Sequence, residues 1–447
     1  MEQTANQVFN ATLKKLDYMR IKKFELYFFK KRSLQIDSKE LEVDHFNSSE
    51  DAILSIRLIK DKRLGFSYTT SLETDAIDHA LNTALAVAKT MPEDSMGFNI
   101  FKNTQYPNFL SYDLEGLKTP LAQKIELAKQ LELQCKKSDS RIKGIRSASI
   151  SENEFETHMM DQEQNQISYK KTMYTAQMTC KAEDRGDSQI GFDSEFSTTL
   201  NKLDISKVAT QAAQNATRLL GAKNAPTLQC AAVFENQASA ELLELLAASF
   251  SEEEIFKGKS LFNTKKLKDP VFSSKLTIFD NPLLSDGYAS VPFDDEGVCT
   301  QTKELIKDGT LNSTLNNLYY AMKNKVKPTG NSFRALKSPP KIQSTNIYFK
   351  SGNKSSKDLC ASIHKGVLIT DLMGLHTANP ITGDFSLGAS GFLIENGKIL
   401  WPIKGFAVSG SLLTLLNQIE DIGNDLKFFG PIGATSFSVK AVSIGGT

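Results

Sequence analysis

Apolar residues in the first 90 positions follow two alternating spacings, one typical of helices and one typical of strands. Residues 5–18 and 75–88 place apolar side chains three or four positions apart, which predicts two amphipathic helices. The second helix is expected to end at the Met91–Pro92 step, because a residue before proline disfavours helical geometry. Shorter apolar runs between these helices predict strands at 24–29, 52–59 and 64–68.

Helical and strand-like spacing continues to alternate as far as residue 220. A polar stretch at 99–108 predicts a linker, and helices are predicted at 121–134 and 205–220. Several short strands are predicted between 142 and 177, and the run Gly221–Pro226 marks the clearest boundary of the chain. These boundaries predict an N-terminal α+β domain at 1–97, a middle α+β segment at 109–220 and a C-terminal domain at 226–447.

The C-terminal domain is predicted to begin with a strand at 230–234, followed by a helix that Asn236 caps. Two stretches, 305–311 and 392–400, place Asp-Gly or Asn-Gly between apolar runs, as hairpins with type I′ turns require. A last helix is predicted at 412–422, ending at Gly423. The predicted fold class is α+β, with N-terminal and middle α/β segments followed by a C-terminal domain rich in antiparallel strands.

Composition places the chain among ordinary globular proteins and argues against several kinds of partner. Its 447 residues are 40% hydrophobic and 23% charged, which suits two or three packed domains. The net charge of +1 lacks the basic excess that nucleic-acid binding requires, so no nucleic-acid partner is expected. No secretory signal, membrane segment or paired cysteine motif is recognisable, and we expect a cytoplasmic protein with reduced thiols.

Glycine is concentrated between residues 366 and 410, where eight glycines occur in 45 positions. Such a density is typical of tightly turning strands. It is also compatible with a backbone left open for the close approach of a peptide. The sequence alone leaves both interpretations open.

Several stretches in this half of the chain resemble known family signatures. They are VPFDDEGVCTQ at 291–301, PTGNSFR at 328–334, the glycine-rich segment at 366–399 and GSLLTLLNQIEDIGNDL at 410–426. Together with IKDKRLGFSYTTSL at 59–72, they resemble the consecutive signatures of the TldD/PmbA peptidase family. The resemblance extends over nearly the whole chain.

The catalytic branch of that family carries an HExxxH motif on a helix, and a distant cysteine completes a zinc site. The similar helix here has the sequence NQASAELLELLAASF and contains no histidine. The resemblance places Glu244, Leu245 and Ser249 at the positions of the first His, the Glu and the second His. No cysteine follows Cys360, so we expect neither a zinc site nor any other cofactor.

This departure resembles the non-catalytic TldE/PmbA branch, whose members pair with a metal-bearing TldD subunit. The resemblance implies a TldD-like partner, a homodimer when the chain is isolated, and unfolded or modified peptides as substrates that enter as extended strands. The family is also called modulator of DNA gyrase, a name that the neutral charge of this chain does not support.

Two other functions remain open at this point. The chain could be a homo-oligomeric peptide-binding protein without a catalytic partner. It could also be a non-metal hydrolase that uses His376, Asp384 and Ser386, or Cys299 with one of the histidines.

Five residues are candidates for contacts in a peptide channel or a subunit interface. Arg334 could hold a carboxylate or a row of carbonyls, although an intramolecular ion pair is the commoner use of an arginine. Asp384 could equally cap a turn. The five candidates are Asn331, Arg334, Thr382, Gly383 and Asp384.

Overall fold

The structure, a computed structural model, describes residues 2–93 and 106–446 of the chain. The predicted linker at 99–108 lies largely outside these described residues. In the part of the chain that is described, no helix has the length and apolar character needed to cross a lipid bilayer.

The first half of the chain contains six long strands and five helices among the described residues. Its helices and strands are α1 (Glu2–Tyr18), β1 (Lys23–Lys39), β2 (Glu42–Lys60), β3 (Arg63–Thr69), α2 (Thr74–Thr90), α3 (Leu114–Lys118), α4 (Leu121–Ser138), β4 (Ile142–Asp161), β5 (Gln166–Asp184), β6 (Asp187–Ser197) and α5 (Ile205–Thr217).

The six strands form one antiparallel sheet in the order β3-β2-β1-β4-β5-β6, so the N-terminal and middle segments share a sheet. The prediction of several short strands between 142 and 177 was wrong. Two long strands occupy this region, because polar residues such as Glu152 and Asn153 are held in ladders with β1 on one side and β5 on the other. Continuous pairing keeps a polar stretch extended where the local pattern suggests an interruption.

Helices cover one face of this sheet in two separate groups. At one end, α1 and α2 bury strand residues that include Leu26, Phe28 and Leu58. At the other end, α4 and α5 pack over Ile150 and Met178. The opposite face meets the second half of the chain, where Tyr27 and Met159 cluster with Phe293. Since side chains alternate along a strand, each long strand serves both a helical layer and a domain contact.

The second half of the chain begins after a short 3₁₀ turn at Leu200–Lys202 and the helix α5. Its helices and strands are β7 (Lys223–Asn224), β8 (Leu228–Phe234), α6 (Asn236–Ala247), α7 (Glu252–Phe256), β9 (Ile278–Asp280), β10 (Lys303–Lys307), β11 (Thr310–Leu311), α8 (Leu318–Asn324), β12 (Ser332–Phe333), β13 (Lys341–Ile342), β14 (Ile347–Phe349), α9 (Ser356–Ala361), β15 (Lys365–Met373), β16 (Asp384–Glu395), β17 (Lys398–Ser411), α10 (Leu412–Asn417), β18 (Ile419–Ile422), β19 (Lys427–Phe429), β20 (Ile432–Ala434) and β21 (Phe437–Gly445).

Five of these strands close into a barrel. Strand β21 pairs with both β8 and β17, and the remaining members, β15 and β16, lie between those two. A second, mixed sheet in the order β11-β10-β9-β14-β20-β19 packs beside the barrel. Most pairings in this half are antiparallel, which confirms the predicted α+β class with a strand-rich C-terminal domain.

Both predicted hairpins are present with the expected turn geometry. Asp308 and Gly309 have φ angles of 45° and 76°, and Asn396 and Gly397 have φ angles of 51° and 75°. Positive φ at both central positions is the requirement of a type I′ turn. The hairpins join β10 to β11 and β16 to β17.

The predicted last helix extends too far. Helix α10 ends at Asn417, and the next residues form β18 instead, with Ile419 opposite Val439 and Ile422 opposite Phe437 of β21. Pairing with the barrel strand buries both isoleucines, and this tertiary contact overrides a local pattern that is compatible with a helix.

Candidate functional site

Helix α6 lies at the position where the resemblance places the metal motif, and it follows β8 directly. The predicted cap was one residue out: Glu235 is the N-cap residue, and Asn236 is the first residue of the helix. Asn236 donates through Nδ2 to the carbonyl of Asp425 at 3.2 Å, so its amide is used in a tertiary contact. The carboxylate of Glu235 accepts two hydrogen bonds from Arg218, at 3.0 and 2.9 Å.

The three positions that correspond to the metal motif do not form a zinc site. Glu244 is exposed, Leu245 is partly buried against the apolar core, and Ser249 is buried. A leucine cannot supply the carboxylate that activates a metal-bound water, and a serine hydroxyl is not among the usual zinc ligands. Within residues 2–93 and 106–446, no group of three or more His, Cys, Asp and Glu side chains is placed to hold a metal ion.

A pair of partly buried carboxyl groups lies next to these positions. Glu241 of α6 accepts a hydrogen bond from the backbone N–H of Leu372 at 2.9 Å, and Gln237 donates to Asp371 of β15 at 3.2 Å. Burial, with a smaller contribution from Asp371, raises the pKa of Glu241 to about 8. Burial also raises the pKa of Asp371, although Arg218 opposes this change. Glu241 is therefore largely protonated at neutral pH.

The predicted contact residue Asn331 lies in a fully buried polar network. Its Nδ2 donates to Asp280 at 2.9 Å and to the carbonyl of Gln343 at 3.0 Å, while its Oδ1 accepts from Lys303 at 2.7 Å. Lys303 also forms an ion pair with Asp280 at 3.0 Å. Both side-chain polar atoms of Asn331, Oδ1 and Nδ2, thus have hydrogen-bond partners inside the domain. Because the side chain is fully buried, Asn331 does not line an open channel.

Arg334 connects the two halves of the chain. Its Nη2 donates to Glu25 of β1 at 2.7 Å and to the carbonyl of Asp295 at 2.5 Å, and its guanidinium lies 4.2 Å from the ring centroid of Tyr27. The side chain is only 1% exposed. A second buried arginine, Arg57 of β2, reaches the C-terminal domain in the same region. Arg334 therefore forms an intramolecular ion pair, and this ion pair belongs to the contact between the two halves of the chain.

We refer to this contact between the first sheet and the C-terminal domain as the interdomain joint. It comprises Glu25, Tyr27, Arg57, Lys171, Asp294, Asp295, Glu296 and Arg334.

Burial changes the acid–base properties of the interdomain joint. It raises the pKa of Asp295 to about 6, despite the lowering effect of Arg334 and a hydrogen bond from Tyr27. Burial and the nearby Glu296 raise the pKa of Asp294 well above its ordinary value, although three backbone N–H groups bond to its carboxylate.

A lysine of β5 completes the interdomain joint. Burial lowers the pKa of Lys171 to about 7. Its ammonium donates to the carbonyls of Gly287, Tyr288 and Ser290 at 3.3, 2.5 and 3.2 Å. The family-like stretch at 291–301 is thus held against the first sheet by residues on both of its sides.

The other three predicted contact residues lie where the chain enters β16: Thr382 and Asp384 are exposed, and Gly383 between them is buried. The hydroxyl of Thr382 donates to the carboxylate of Asp384 at 2.7 Å, so Asp384 stabilises the turn. Gly383 has a φ of 75°, and a β-carbon at this position would approach Leu261 at 2.7 Å. Only glycine fits here without strain, because the backbone is left-handed and the space is filled.

The hydrolase alternative needs His376, Asp384 and Ser386 to be connected by hydrogen bonds. His376 lies in a short 3₁₀ turn at Leu375–Thr377, and all three side chains are exposed. The hydrogen bonds of the described residues do not connect His376 to either of the other two, and the Asp384 carboxylate is engaged by Thr382. The arrangement therefore gives no support to a catalytic triad.

A groove of about 510 Å³ lies between the edge strand β6 and two segments of the C-terminal domain, the loop at 284–287 and the stretch 425–428 that leads into β19. Phe196 of β6 forms one wall, and its ring contacts Tyr288 at a centroid distance of 5.2 Å. Lys427 forms an ion pair with Asp193 across the groove. The groove therefore combines an open strand edge with aromatic and charged side chains.

Sequence reasoning missed the residues of the first sheet that complete the interdomain joint. Glu25, Arg57 and Lys171 each lie in a strand, and only the register of long ladders reveals which face they occupy. A signal was available for the two α6 residues that contact β15, since Gln237 and Glu241 are four residues apart and share one helical face.

Comparison with known proteins places these features in a family. Three family models match consecutive parts of the chain: domain 1 of PmbA/TldA metallopeptidases at 24–88, the central domain at 115–220 and the C-terminal domain at 227–446.

Similar curated proteins include a Metalloprotease PmbA homolog of Buchnera aphidicola subsp. Baizongia pistaciae (strain Bp), 31% identical over 72% of this chain and 70% of that protein. Metalloprotease PmbA of Escherichia coli O157:H7 is 25% identical over 94% of this chain and 92% of that protein.

Solved structures agree along the whole chain. A Thermotoga maritima MSB8 protein, named as a proposed modulator of a DNA gyrase, has a TM-score of 0.89 at 25% identity and covers 99% of this chain and 100% of its own. TldE from Thermococcus kodakarensis has a TM-score of 0.88 at 21% identity, over 98% of this chain and 100% of its own. The second likeness concerns the fold alone.

Proposed function

Because this chain belongs to the PmbA/TldD metallopeptidase family, we propose that it acts as a non-catalytic, TldE/PmbA-like subunit of a cytoplasmic metalloprotease. In this proposal, a relative that carries HExxxH supplies the metal and cleaves the peptide bond. This chain contributes binding and enclosure of unfolded or modified peptides.

One observation carries the proposal: the donor atoms at the metal-motif positions of α6 are wrong for zinc. Leu245 stands where the catalytic branch has its general base, and Ser249 is buried where that branch has its second histidine. The rest of the fold is retained along nearly the full length of the relatives. A chain that keeps the fold and lacks the metal ligands still offers surfaces that a related subunit can recognise.

The groove beside β6 suits the proposed handling of peptides. An edge strand offers unpaired backbone N–H and C=O groups, and an extended peptide can pair with them without regard to its sequence. Main-chain pairing of this kind would suit substrates that share only an unfolded state. The aromatic contact between Phe196 and Tyr288 gives the groove an apolar wall for alternate side chains.

Reconstitution tests the proposal directly. The chain and an HExxxH-bearing relative from the same genome should co-elute as one species, and the mixture should cleave casein fragments in a reaction that a chelator abolishes. The chain alone should show no cleavage. As a control for the mixture, the variant Ser386→Ala of this chain is combined with the same relative. The cleavage rate should stay unchanged, because this proposal gives Ser386 no role in cleavage.

Two results would contradict the proposal. The first is a relative that is fully active alone and never co-elutes with this chain, which would favour a homo-oligomeric peptide-binding protein. The second is cleavage by the isolated chain that survives repurification and is lost in His376→Ala, which would favour the hydrolase.

A further inference from the structure

A pocket of about 390 Å³ opens at one end of the first sheet. It lies between the C-terminal end of α2, the turn from β2 to β3 and the segment that connects α1 to β1. Neither the interdomain joint nor the groove beside β6 includes any of its lining residues. Its volume falls within the range of about 300–1,000 Å³ that small-molecule pockets have.

The floor of this pocket is apolar. Ile21 and Ala88 are buried members of the core that α1 and α2 form with the first sheet. Met19 and Leu85 are partly buried against the same core and also line the pocket. Apolar surface that faces a pocket stays in contact with water until a ligand covers it, and covering it is favourable. The floor therefore favours a ligand with an apolar part.

Three cations, Lys60, Arg63 and Lys89, form the rim of the pocket. Lys60 and Arg63 are directly opposite each other in the β2–β3 ladder, so their side chains lie on the same face of the sheet. Like charges in such a position destabilise a sheet, and an anion between them would remove the repulsion. Lys89 adds a third positive charge from the last turn of α2. We call the apolar floor and this rim together the basic pocket.

The rim is only partly neutralised by the chain itself. Arg63 donates through Nη1 to the backbone carbonyl of Lys89 at 3.0 Å, and its Nη2 lies 3.4 Å from the carboxylate of Glu93. The Glu93 side chain is 61% exposed, so water screens this ion pair and leaves it weak. Within residues 2–93 and 106–446, neither Lys60 nor Lys89 forms an ion pair. A ligand carboxylate would therefore compete with one weakly held side chain.

Positive charge exceeds negative charge around the basic pocket, although the net charge of the whole chain is only +1. The stretches 17–23, 60–63 and 89–93 contain seven Lys and Arg residues against three Asp and Glu residues, a net charge of +4. Asp94, the next residue in the sequence, lowers this sum to +3. The excess of positive charge thus remains after these acidic residues are counted, and it favours an anionic ligand.

We propose that the basic pocket binds an amphipathic anion, an apolar chain that ends in a carboxylate. The apolar chain covers Met19 and Leu85 on the floor. The carboxylate accepts hydrogen bonds from Arg63 in place of Glu93, because a planar guanidinium matches the geometry of a carboxylate. The two lysines of the rim add positive charge on either side. The inference depends neither on a catalytic relative nor on the groove beside β6.

A small amphipathic anion suits the basic pocket better than a nucleic acid does. Nucleic acids present long rows of phosphates, whereas this pocket combines a compact rim of three cations with an apolar floor. Two sources offer the chemistry that the pocket requires. One is a free fatty acid, and the other is the C-terminal carboxylate of a peptide that ends in apolar residues.

Isothermal titration calorimetry of the full chain tests the proposed site. Octanoate should bind at one site per chain. Acetate carries the charge without the chain, and octanol carries the chain without the charge, so each should bind at least about 10-fold more weakly than octanoate. Acetyl-Leu-Leu tests the peptide source. If it binds more tightly than octanoate and the binding is lost when its C-terminus is amidated, the pocket recognises peptide ends.

Single substitutions test the rim and the floor separately. Arg63→Met should weaken octanoate binding by about 10-fold, because a hydrogen-bonded charge is lost. Leu85→Ala should weaken it by about 5-fold through the loss of apolar contact. Glu93→Gln should strengthen it by about 3-fold, because the competing carboxylate is removed. The matched control is Arg185→Met in the exposed β5–β6 turn at the opposite end of the same sheet, and it should leave binding unchanged.

Three outcomes would overturn the proposal. The first is a folded wild type that binds neither octanoate nor acetyl-Leu-Leu. The second is acetate or octanol binding as tightly as octanoate, which would leave a site for an ion alone or for an apolar chain alone. The third is an equal effect of Arg63→Met and Arg185→Met. Circular dichroism checks that each variant is folded, and if Arg63→Met fails to fold, the opposite shifts expected for Leu85→Ala and Glu93→Gln decide the question.

Discussion

Replacing Arg334 with methionine should destabilise the protein far more than replacing an exposed arginine. Arg334 is 1% exposed and contacts Glu25 at 2.7 Å, the carbonyl of Asp295 at 2.5 Å and the ring of Tyr27. Without it, Arg57 at 3.6 Å is the one cation still paired with Glu25 among the described residues, and the buried Asp295 loses its nearest cation. Removing one partner of a buried ion pair costs about 3–5 kcal/mol, and we expect a loss of about 4 kcal/mol at pH 8.

The loss should be smaller in acid. The pKa of Asp295 is already raised to about 6, and loss of the Arg334 charge raises it further. Between these two pKa values, the folded variant binds a proton that the unfolded chain and the folded wild type do not. The stability of the variant therefore falls relative to wild type by up to about 1.4 kcal/mol per pH unit as the pH rises through this window.

Urea unfolding at pH 6 and pH 8 measures this loss by circular dichroism. The single tryptophan, Trp401, lies in β17 and reports the barrel separately by fluorescence. Arg63→Met is the matched control, because Arg63 is 37% exposed and its pair with Glu93 should contribute less than about 1 kcal/mol. A loss for Arg334→Met no larger than that of the control, or one that is equal at both pH values, would refute the reasoning.

Three further outcomes are expected. Metal analysis of the dialysed chain should find well below one zinc per chain, because α6 carries no zinc ligand set, and a tightly held zinc would contradict this. The pKa of Glu241 is about 8 in the folded protein, above its value in the unfolded chain, so the wild type loses folding stability as the pH rises from 5 to 8. The loss of free energy of unfolding is up to about 3 kcal/mol after allowance for partial exposure. Glu241→Gln should remove most of this pH dependence. An unfolding midpoint with the same pH dependence in both proteins would disprove the assignment. Gly383→Ala should cost about 2 kcal/mol in urea unfolding, because φ is 75° and Leu261 fills the space, whereas Gly186→Ala, with a similar φ in open space, should cost about half as much.

The fold was predictable wherever local chemistry decides the structure. The Asp308–Gly309 and Asn396–Gly397 turns were identified from the sequence, because positive φ at two adjacent residues has few chemical solutions. Strand β18 was not predicted, since Ile419 and Ile422 become a strand only when β21 is present to pair with them. Long-range pairing has no signature in a single short stretch.

Some features of the candidate site could likewise be predicted from the sequence, and others could not. The absence of metal ligands in α6 follows from residue identity alone, so it could be recognised without coordinates. The position of Arg334 could not, because its partner Glu25 lies 309 residues earlier in the chain. The family-like motifs contain Arg334 and Asp295, but they do not reveal that these residues join the two halves of the chain.

Closure of the barrel by β21 has a consequence for synthesis of the protein. Strand β8 begins at Leu228, but its partner β21 ends at Gly445, so β8 must wait for more than two hundred further residues to leave the ribosome. At ordinary rates of translation this delay is roughly 10–40 s. The first sheet is complete by Ser197 and can form during that interval, whereas the barrel can close only after β21 has been synthesised. A message truncated shortly before codon 437 would yield a folded first sheet attached to a barrel with two open edges, a product suited to quality-control degradation.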